Sequence, residues 1–350
     1  MNLMKKMKNN KFVGLFILIL VIILGIIMPL PYYIEAPGSA VRLSELIEVN
    51  NRADENPGSY MLTTVAIRKA TPLTYFTKYL PFHEAVTEKE LLGMTESSEE
   101  YDNLQKYYME SSINTAIEVA YKTANEPYKL TYKGIYVMSV LPESNFSGKL
   151  LVGDTVVALD KNKFKSSTEF IDYVKNKDPG EKIAVTYQRD GKTRTISAPL
   201  IEIEQTKVTG LGISLVDHTS IETDIPVSID SDKIGGPSAG FMFALQIYTQ
   251  LTNQDLRNGR EIAGTGTILA DGTIGRIGGI NKKIVAASKE GATIFFAPDD
   301  AIDPILKKNY PNLQSNYQEA LKAAEKIDTE MKIVPVKQFQ DAIDYLNQLK

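Results

Sequence analysis

The chain contains no cysteine, no tryptophan and only two histidines, His83 and His218, in 350 residues. Without a thiol there is no cysteine nucleophile, thiolate zinc site, disulfide framework or lipid-modified cysteine. Two histidines leave little material for an imidazole metal site. His83-Glu84-Ala85-Val86-Thr87 carries threonine where the H-E-x-x-H zinc helix needs its second ligand. Neither a metal nor a cofactor is expected, and the redox compartment stays open. A 43% hydrophobic and 23% charged composition excludes wholesale disorder. The length allows two or three domains with their own cores.

The longest apolar run is at the start. Lys5, Lys6, Lys8 and Lys11 precede an uninterrupted stretch from Phe12 to Met28, which Pro29, Leu30 and Pro31 extend to Tyr32 and Tyr33. A membrane span needs about 20 apolar residues, and this run reaches that length. Lysines at its near end and tyrosines at its far end fit a cytoplasmic start and an outward-facing remainder. A cleaved signal peptide, using Gly38-Ser39-Ala40, and a buried core helix are the alternatives; the first has a shorter apolar core as a rule. Setting the four lysines aside leaves 35 basic against 43 acidic residues, a net charge of −8 that argues against a nucleic-acid partner.

Residues 59–68 are rich in β-branched and aromatic side chains and read as a strand. Residues 84–112 are acidic and polar, after which Ile113, Ile117 and Tyr121 recur at helical spacing up to Ala124. From 129 to 200 short strands and turns dominate. Gly134 to Val140 and Thr155 to Leu159 are strands, residues 168–176 a short helix, and Asp190-Gly191 a hairpin turn. The run Gly148-Lys149-Leu150-Leu151-Val152-Gly153-Asp154 ahead of that helix resembles a PDZ domain, a fold that takes up extended peptides as an added strand. The resemblance implies a peptide groove along Lys133, Gly134, Ile135, Tyr136 and Val137. Lys133 stands where a hydrophobic residue usually precedes the loop glycine, which speaks against tight capture of a terminal carboxylate. A small β-rich spacer is the plain alternative.

From 204 onward strands alternate with helices, as in an α/β arrangement: strands at 212–216, 226–229 and 293–297, helices at 239–251, 281–289, 315–326 and 337–349. Gly236-Pro237-Ser238-Ala239-Gly240 fits G-x-S-x-G, a tight turn that exposes a serine at a helix start. Backbone N–H groups around Gly236, Pro237 and Ala239 are the candidate oxyanion donors. No histidine follows Ser238, so the serine–acid–histidine order of an α/β-hydrolase is excluded; His218 serves only in an order with histidine before serine. A lysine base is the other option. At about 100° per residue Ile280, Ile284 and Ala287 share one stripe, Lys283 borders it at about 300° and Lys282 lies opposite at about 200°. Burial would lower the Lys283 pKa by about 3 units, or ~4–5 kcal/mol, as a general base requires. Alternatively the side chain snorkels to water along its stem.

The series Gly236-Pro237-Ser238-Ala239-Gly240, Thr265-Gly266-Thr267-Ile268-Leu269 and Asp271 to Lys283, with Gly278-Gly279-Ile280 inside it, resembles the proteolytic domain of Lon-type serine proteases. The resemblance implies Ser238 as nucleophile, Lys283 as general base and Thr265 as the residue that helps hold the lysine. Many Lon proteases have an acid three residues before the serine, where this chain has Gly235. No G-x-x-x-x-G-K-[ST] loop occurs, so no ATP is expected. The whole order resembles the membrane-anchored, PDZ-containing Lon-like proteases of Gram-positive bacteria.

The implied fold class is mixed, α+β and α/β: a basic cytoplasmic tail at 1–11, a transmembrane anchor at 12–31, and a segment at 32–126 lending strands to the protease. A PDZ-like domain at 127–203 and a Lon-type proteolytic domain at 204–350 with a Ser-Lys dyad follow. The implied function is an ATP-independent endopeptidase outside the cell membrane. Its partners would be peptide or protein substrates, namely secreted signalling peptides or exposed protein segments, and the bilayer. The oligomeric state is not legible. A tethered PDZ adaptor without cleavage is the rival reading.

Overall fold

The structure, a computed structural model, describes residues 2–349 apart from Met94, Glu96, Gln205, Lys233 and Asp303; side chains are described from Val13 onward, Gly14 and Leu306 aside. The N-terminal part comprises α1 (Asn2–Ile27), β1 (Tyr32–Arg42), β2 (Ile47–Val49), β3 (Ser59–Lys69), a 3-10 turn at Thr74–Tyr79, β4 (Glu84–Thr87), α2 (Glu88–Leu92) and α3 (Ser98–Ala124). A β-rich unit follows, with β5 (Tyr128–Val140), β6 (Thr155–Leu159), α4 (Ser167–Lys175), β7 (Lys182–Arg189), β8 (Lys192–Pro199), β9 (Ile201–Ile203), β10 (Val208–Gly210) and β11 (Ile213–Thr223). The last part has β12 (Val227–Ile229), a 3-10 turn at Pro237–Ala239, α5 (Gly240–Leu251), β13 (Glu261–Gly264), β14 (Thr267–Ile268), β15 (Ile274–Gly275) and α6 (Ile280–Lys289). It closes with β16 (Ile294–Pro298), α7 (Pro304–Asn309), α8 (Asn316–Lys326), β17 (Lys332–Val336) and α9 (Phe339–Asn347).

Among the described residues no helix is long and apolar enough to cross a membrane. The side chains of the tail expected at 1–11, and Phe12 and Gly14 of the anchor expected at 12–31, lie outside the described ones.

Six strands form one sheet in the order β17-β16-β13-β3-β1-β4. β3 pairs in parallel with β13, Ser59 to Leu62 beside Glu261 to Gly264, and antiparallel with β1 on its other flank. The sheet is therefore assembled from segments on both sides of the β-rich unit. Successive strand side chains point to opposite faces. Tyr60, Leu62, Ile262 and Phe296 enter the core with α5 and α9, while Met61, Ala263 and Phe295 enter the core with α6 and α8. The result is a helix–sheet–helix sandwich. α5 is buried on every side from Gly240 to Thr249, as an all-round apolar helix must be.

The β-rich unit has a five-stranded sheet in the order β11-β5-β6-β7-β8, with Phe170 and Val174 of α4 in its core. Residues 213–216, read from sequence as a strand of the C-terminal block, belong to β11, which pairs with β5 from Ile213↔Val140 to Thr223↔Tyr128. The five-stranded sheet thus takes in residues up to Thr223. Leu211, Ile213 and Leu215 complete its core, and burial of that alternating set fixes the pairing.

Candidate active site

Ser238 and Lys283 approach from opposite faces of the large sheet and meet beyond the end of β13. Gly236 has φ +83°, a left-handed conformation that suits glycine, and Pro237 then opens the 3-10 turn that leads into α5. Ser238 is half-buried in that turn. Its carbonyl accepts from the Gly266 N–H at 2.9 Å and from Thr265 Oγ1 at 3.0 Å, so the serine backbone is clamped from β13's exit. On the other side, Gly279 at φ +67° caps α6, and its carbonyl accepts from Lys282 and Lys283 N–H groups. Asn316, fully buried, exchanges two hydrogen bonds with the Ile277 backbone and fixes the approach to α6.

Lys283 is 3% exposed, and its Nζ donates to Ser238 Oγ at 2.7 Å and to Thr265 Oγ1 at 2.9 Å. Both partners are hydroxyls, which do little to stabilise an ammonium. Desolvation pushes the Lys283 pKa down to about 7. Lys282 is as little exposed as a residue, yet its ammonium is less deep and its Nζ lies 2.9 Å from Glu35 Oε2 and 3.1 Å from Glu84 Oε2. Burial works against its charge, and the two carboxylates outweigh it, so its pKa is raised. Helical phase placed Lys282 away from the core; the structure puts it under β1 and β4. Neither lysine snorkels.

Of the three residues expected to bind an oxyanion, Pro237 has no N–H and Gly236 donates its own to the Gln105 carbonyl at 3.2 Å. Ala239 is buried at the head of α5. Within the expected span Gly236 to Ala239, that leaves the N–H of Ser238, early in the 3-10 turn, as the candidate donor. α3 was missed in this role. Besides Gln105, its Ser112 Oγ donates to the Pro237 carbonyl at 3.0 Å. A cleft of about 750 Å³ opens at the dyad, lined by Thr63 to Val65 and Ile67 of β3, Tyr101 and Gln105 of α3, and the Ile234–Ala239 loop.

The peptide groove assigned to Lys133, Gly134, Ile135, Tyr136 and Val137 also needs correction. β11 pairs along one flank of β5, and β6 takes Ile135 and Tyr136 on the other. No strand can add there. The sheet's edge on that side is β11, which lies near α4. Gly210-Leu211-Gly212 leads into it, with Gly212 at φ +72° and packed against Ser144. Lys133 instead pairs with Glu110 of α3 at 3.3 Å. His218 Nδ1 lies 2.8 Å from Thr155 Oγ1 and its Nε2 3.5 Å from Glu110, so its partners are those of a junction and not Ser238.

Residues 204–346 match the Lon protease (S16) C-terminal proteolytic domain. Residues 125–200 match the PDZ domain family. The chain thus joins a PDZ domain to a serine-peptidase domain of the Lon type. The Lon protease of Metamycoplasma arthritidis is 30% identical over 135 residues, 38% of this chain and 14% of that one. Lon protease 1 of Bacillus subtilis is 29% identical over 123 residues, 35% and 16% of the two chains. The chain therefore spans about one seventh of the length of these curated relatives. Among solved structures, the PDZ domain of the SdrC-like protein from Listeria monocytogenes is 39% identical, covers 25% of this chain and 93% of its own, and has a TM-score of 0.24.

Proposed function

We propose that the protein is a membrane-anchored serine endopeptidase that works without ATP on extended polypeptides outside the cytoplasm. The observation that carries the peptidase reading is the buried Lys283 Nζ held 2.7 Å from Ser238 Oγ, with its pKa pushed down to about 7. Neutral Lys283 takes the Ser238 proton as Oγ bonds to the scissile carbonyl carbon. The Ser238 N–H stabilises the oxyanion that forms. The lysinium then protonates the leaving amine as the C–N bond breaks. In the second half Lys283 takes a proton from water, the hydroxyl attacks the acyl carbon, and the proton returns to Ser238 Oγ. Thr265 holds the lysine in line throughout.

β13 ends its pairing with β3 at Gly264↔Leu62, so β3 from Thr63 onward has a flank beside the cleft for an extended substrate. The edge strand β11 offers a second place for a peptide strand. Support for the anchor comes from α1: its described large apolar side chains from Val13 to Ile27 are 44–69% exposed, a surface that water does not tolerate in a folded monomer. The four lysines ahead of the apolar run support a cytoplasmic N-terminus with the remainder outside.

The test is incubation of the full chain, without nucleotide, with a library of unstructured peptides, reading cuts by mass spectrometry. Cleavage lost in Ser238→Ala and Lys283→Ala and retained in Lys282→Ala supports the dyad. Cleavage that survives Lys283→Ala rejects it, and a folded protein that never cuts is an adaptor.

A further inference from the structure

The connection between β3 and β4 has a composition unlike the rest of the chain. Ala70 to His83 reads ATPLTYFTKYLPFH, with no acid, four aromatic residues and one lysine. It wraps into the 3-10 turn Thr74–Tyr79. In a 3-10 helix the residues i and i+3 eclipse one another. Leu73, Phe76 and Tyr79 follow that spacing and make one outward stripe, 60%, 66% and 75% exposed, with Leu80 beside it at 51%. Charged or polar side chains are what such a turn needs to face water, and this one presents its largest apolar groups instead.

Its position explains the choice. The Leu73 N–H donates to the Gly25 carbonyl of α1 at 3.0 Å, and the Leu30 N–H donates to the Ala70 carbonyl at 2.8 Å. The turn is therefore fastened to the last turns of the apolar helix, at a residue inside the apolar run. With a rise of about 1.5 Å per residue, Gly25 sits roughly 5 Å inside the end of that run at Met28. Tyr75 packs its ring 5.0 Å from that of Tyr32, at the exit of α1. Lys78 Nζ lies 3.9 Å from the Tyr75 ring centroid and donates to Tyr75 OH at 2.8 Å, while Arg68 stands exposed at the end of β3, beside Lys69 in its 2.6 Å ion pair with Glu88. Aromatic rings with a lysine among them and an arginine beside them are the composition of a bilayer interface.

We propose that Ala70–His83 is a second membrane contact, laying Leu73, Phe76, Tyr79 and Leu80 into the boundary between headgroups and acyl chains beside α1. The inference rests on the reading of α1 as a membrane span. Two attachments in place of one fix the orientation of the catalytic body on the bilayer. β3 runs from the cleft residues Val65 and Ile67 to Lys69, next to Ala70, so the cleft sits within about 20 Å of the lipid surface.

The absence of tryptophan makes the test direct, because one introduced tryptophan is the only one. Full-length Phe76→Trp, Tyr79→Trp, Phe16→Trp and Tyr310→Trp are each reconstituted in vesicles of phosphatidylcholine and phosphatidylglycerol, with and without lipids brominated near the headgroup end of their acyl chains. Tyr310 is 64% exposed on the body of the protein. The expected result is that the variants at 76 and 79 lose roughly half of their emission to bromine and shift to the blue. The variant at 310 keeps its emission. Quenching at 16 without quenching at 76 or 79 overturns the second contact and leaves the anchor standing. No quenching at 16 overturns the anchor reading, and this inference with it.

Discussion

Lys282 and Lys283 are neighbours on α6, each 3% exposed, and they end in opposite surroundings: two carboxylates for the first, two hydroxyls for the second. One buried lysine is kept charged as a structural cation, and the next is kept neutral as a base. Partners and depth together decide the role, since the Lys282 ammonium lies less deep than that of Lys283 and beside two carboxylates.

The first expectation concerns pH. Lys283 accepts the serine proton only when neutral, so peptide cleavage rises with pH through about 7 and levels off above it. The check is kcat/KM against pH on one peptide; a profile that falls across the same range rules out this base.

The same shift makes Lys283 a cost to the fold. In the unfolded chain the lysine holds its proton up to about 10.4, and in the folded chain only up to about 7. The unfolded state therefore binds more protons between these values, and this group's penalty is full below 7 and shrinks as pH rises towards 10. Lys283→Met is expected to abolish cleavage and to raise stability near pH 6 by a few kcal/mol, on the order of 3. Urea unfolding at pH 6 and pH 9 reads both the gain and its pH dependence.

Lys282→Met acts in the other direction. It leaves Glu35, 23% exposed, and the more exposed Glu84 without their cation. A loss of about 1–3 kcal/mol is expected, at the low end because Glu84 regains water. Cleavage per folded molecule persists, since this ammonium does not touch Ser238. Adding Glu35→Gln to Lys282→Met is expected to recover part of the loss, which the urea midpoint of the double variant measures.

A fragment of residues 204–350 contains Ser238, Thr265 and Lys283 but lacks β3 and β1. β13 would lose its neighbour on one flank, and α6 would lose the strands it packs on. The fragment is expected to show no cooperative thermal transition by circular dichroism. A fragment that unfolds cooperatively and cleaves peptides would contradict the role assigned to β3.

The dyad was legible because its chemistry is local: a proline–serine turn and a lysine at the edge of an apolar stripe are short-range patterns. So were most helices of the last 150 residues, whose 3.6-residue periodicity is strong. What escaped was long-range. The alternation in residues 213–216 marks a strand, and nothing in it says that Ile213 will face Val140 and not a strand of the protease. The groove was placed on β5 for the same reason, since an edge is a property of the whole sheet. Lys282 was misplaced because helical phase counts only apolar neighbours, and its burial depends on Glu35 and Glu84, about 250 and 200 residues away in the chain.

Tyr128 and Thr223 face each other at the foot of the β5–β11 ladder, so the chain enters and leaves the β-rich unit about 5 Å apart. That unit is a cassette on a single stem. A gene rearrangement can remove, exchange or duplicate it and still rejoin the ends without opening the sheet beneath. The cassette also leans on α3, where Tyr107 stacks on Tyr136 and Glu110 pairs with Lys133, so a shift of the unit bears on the helix whose Gln105 and Ser112 grip the serine loop.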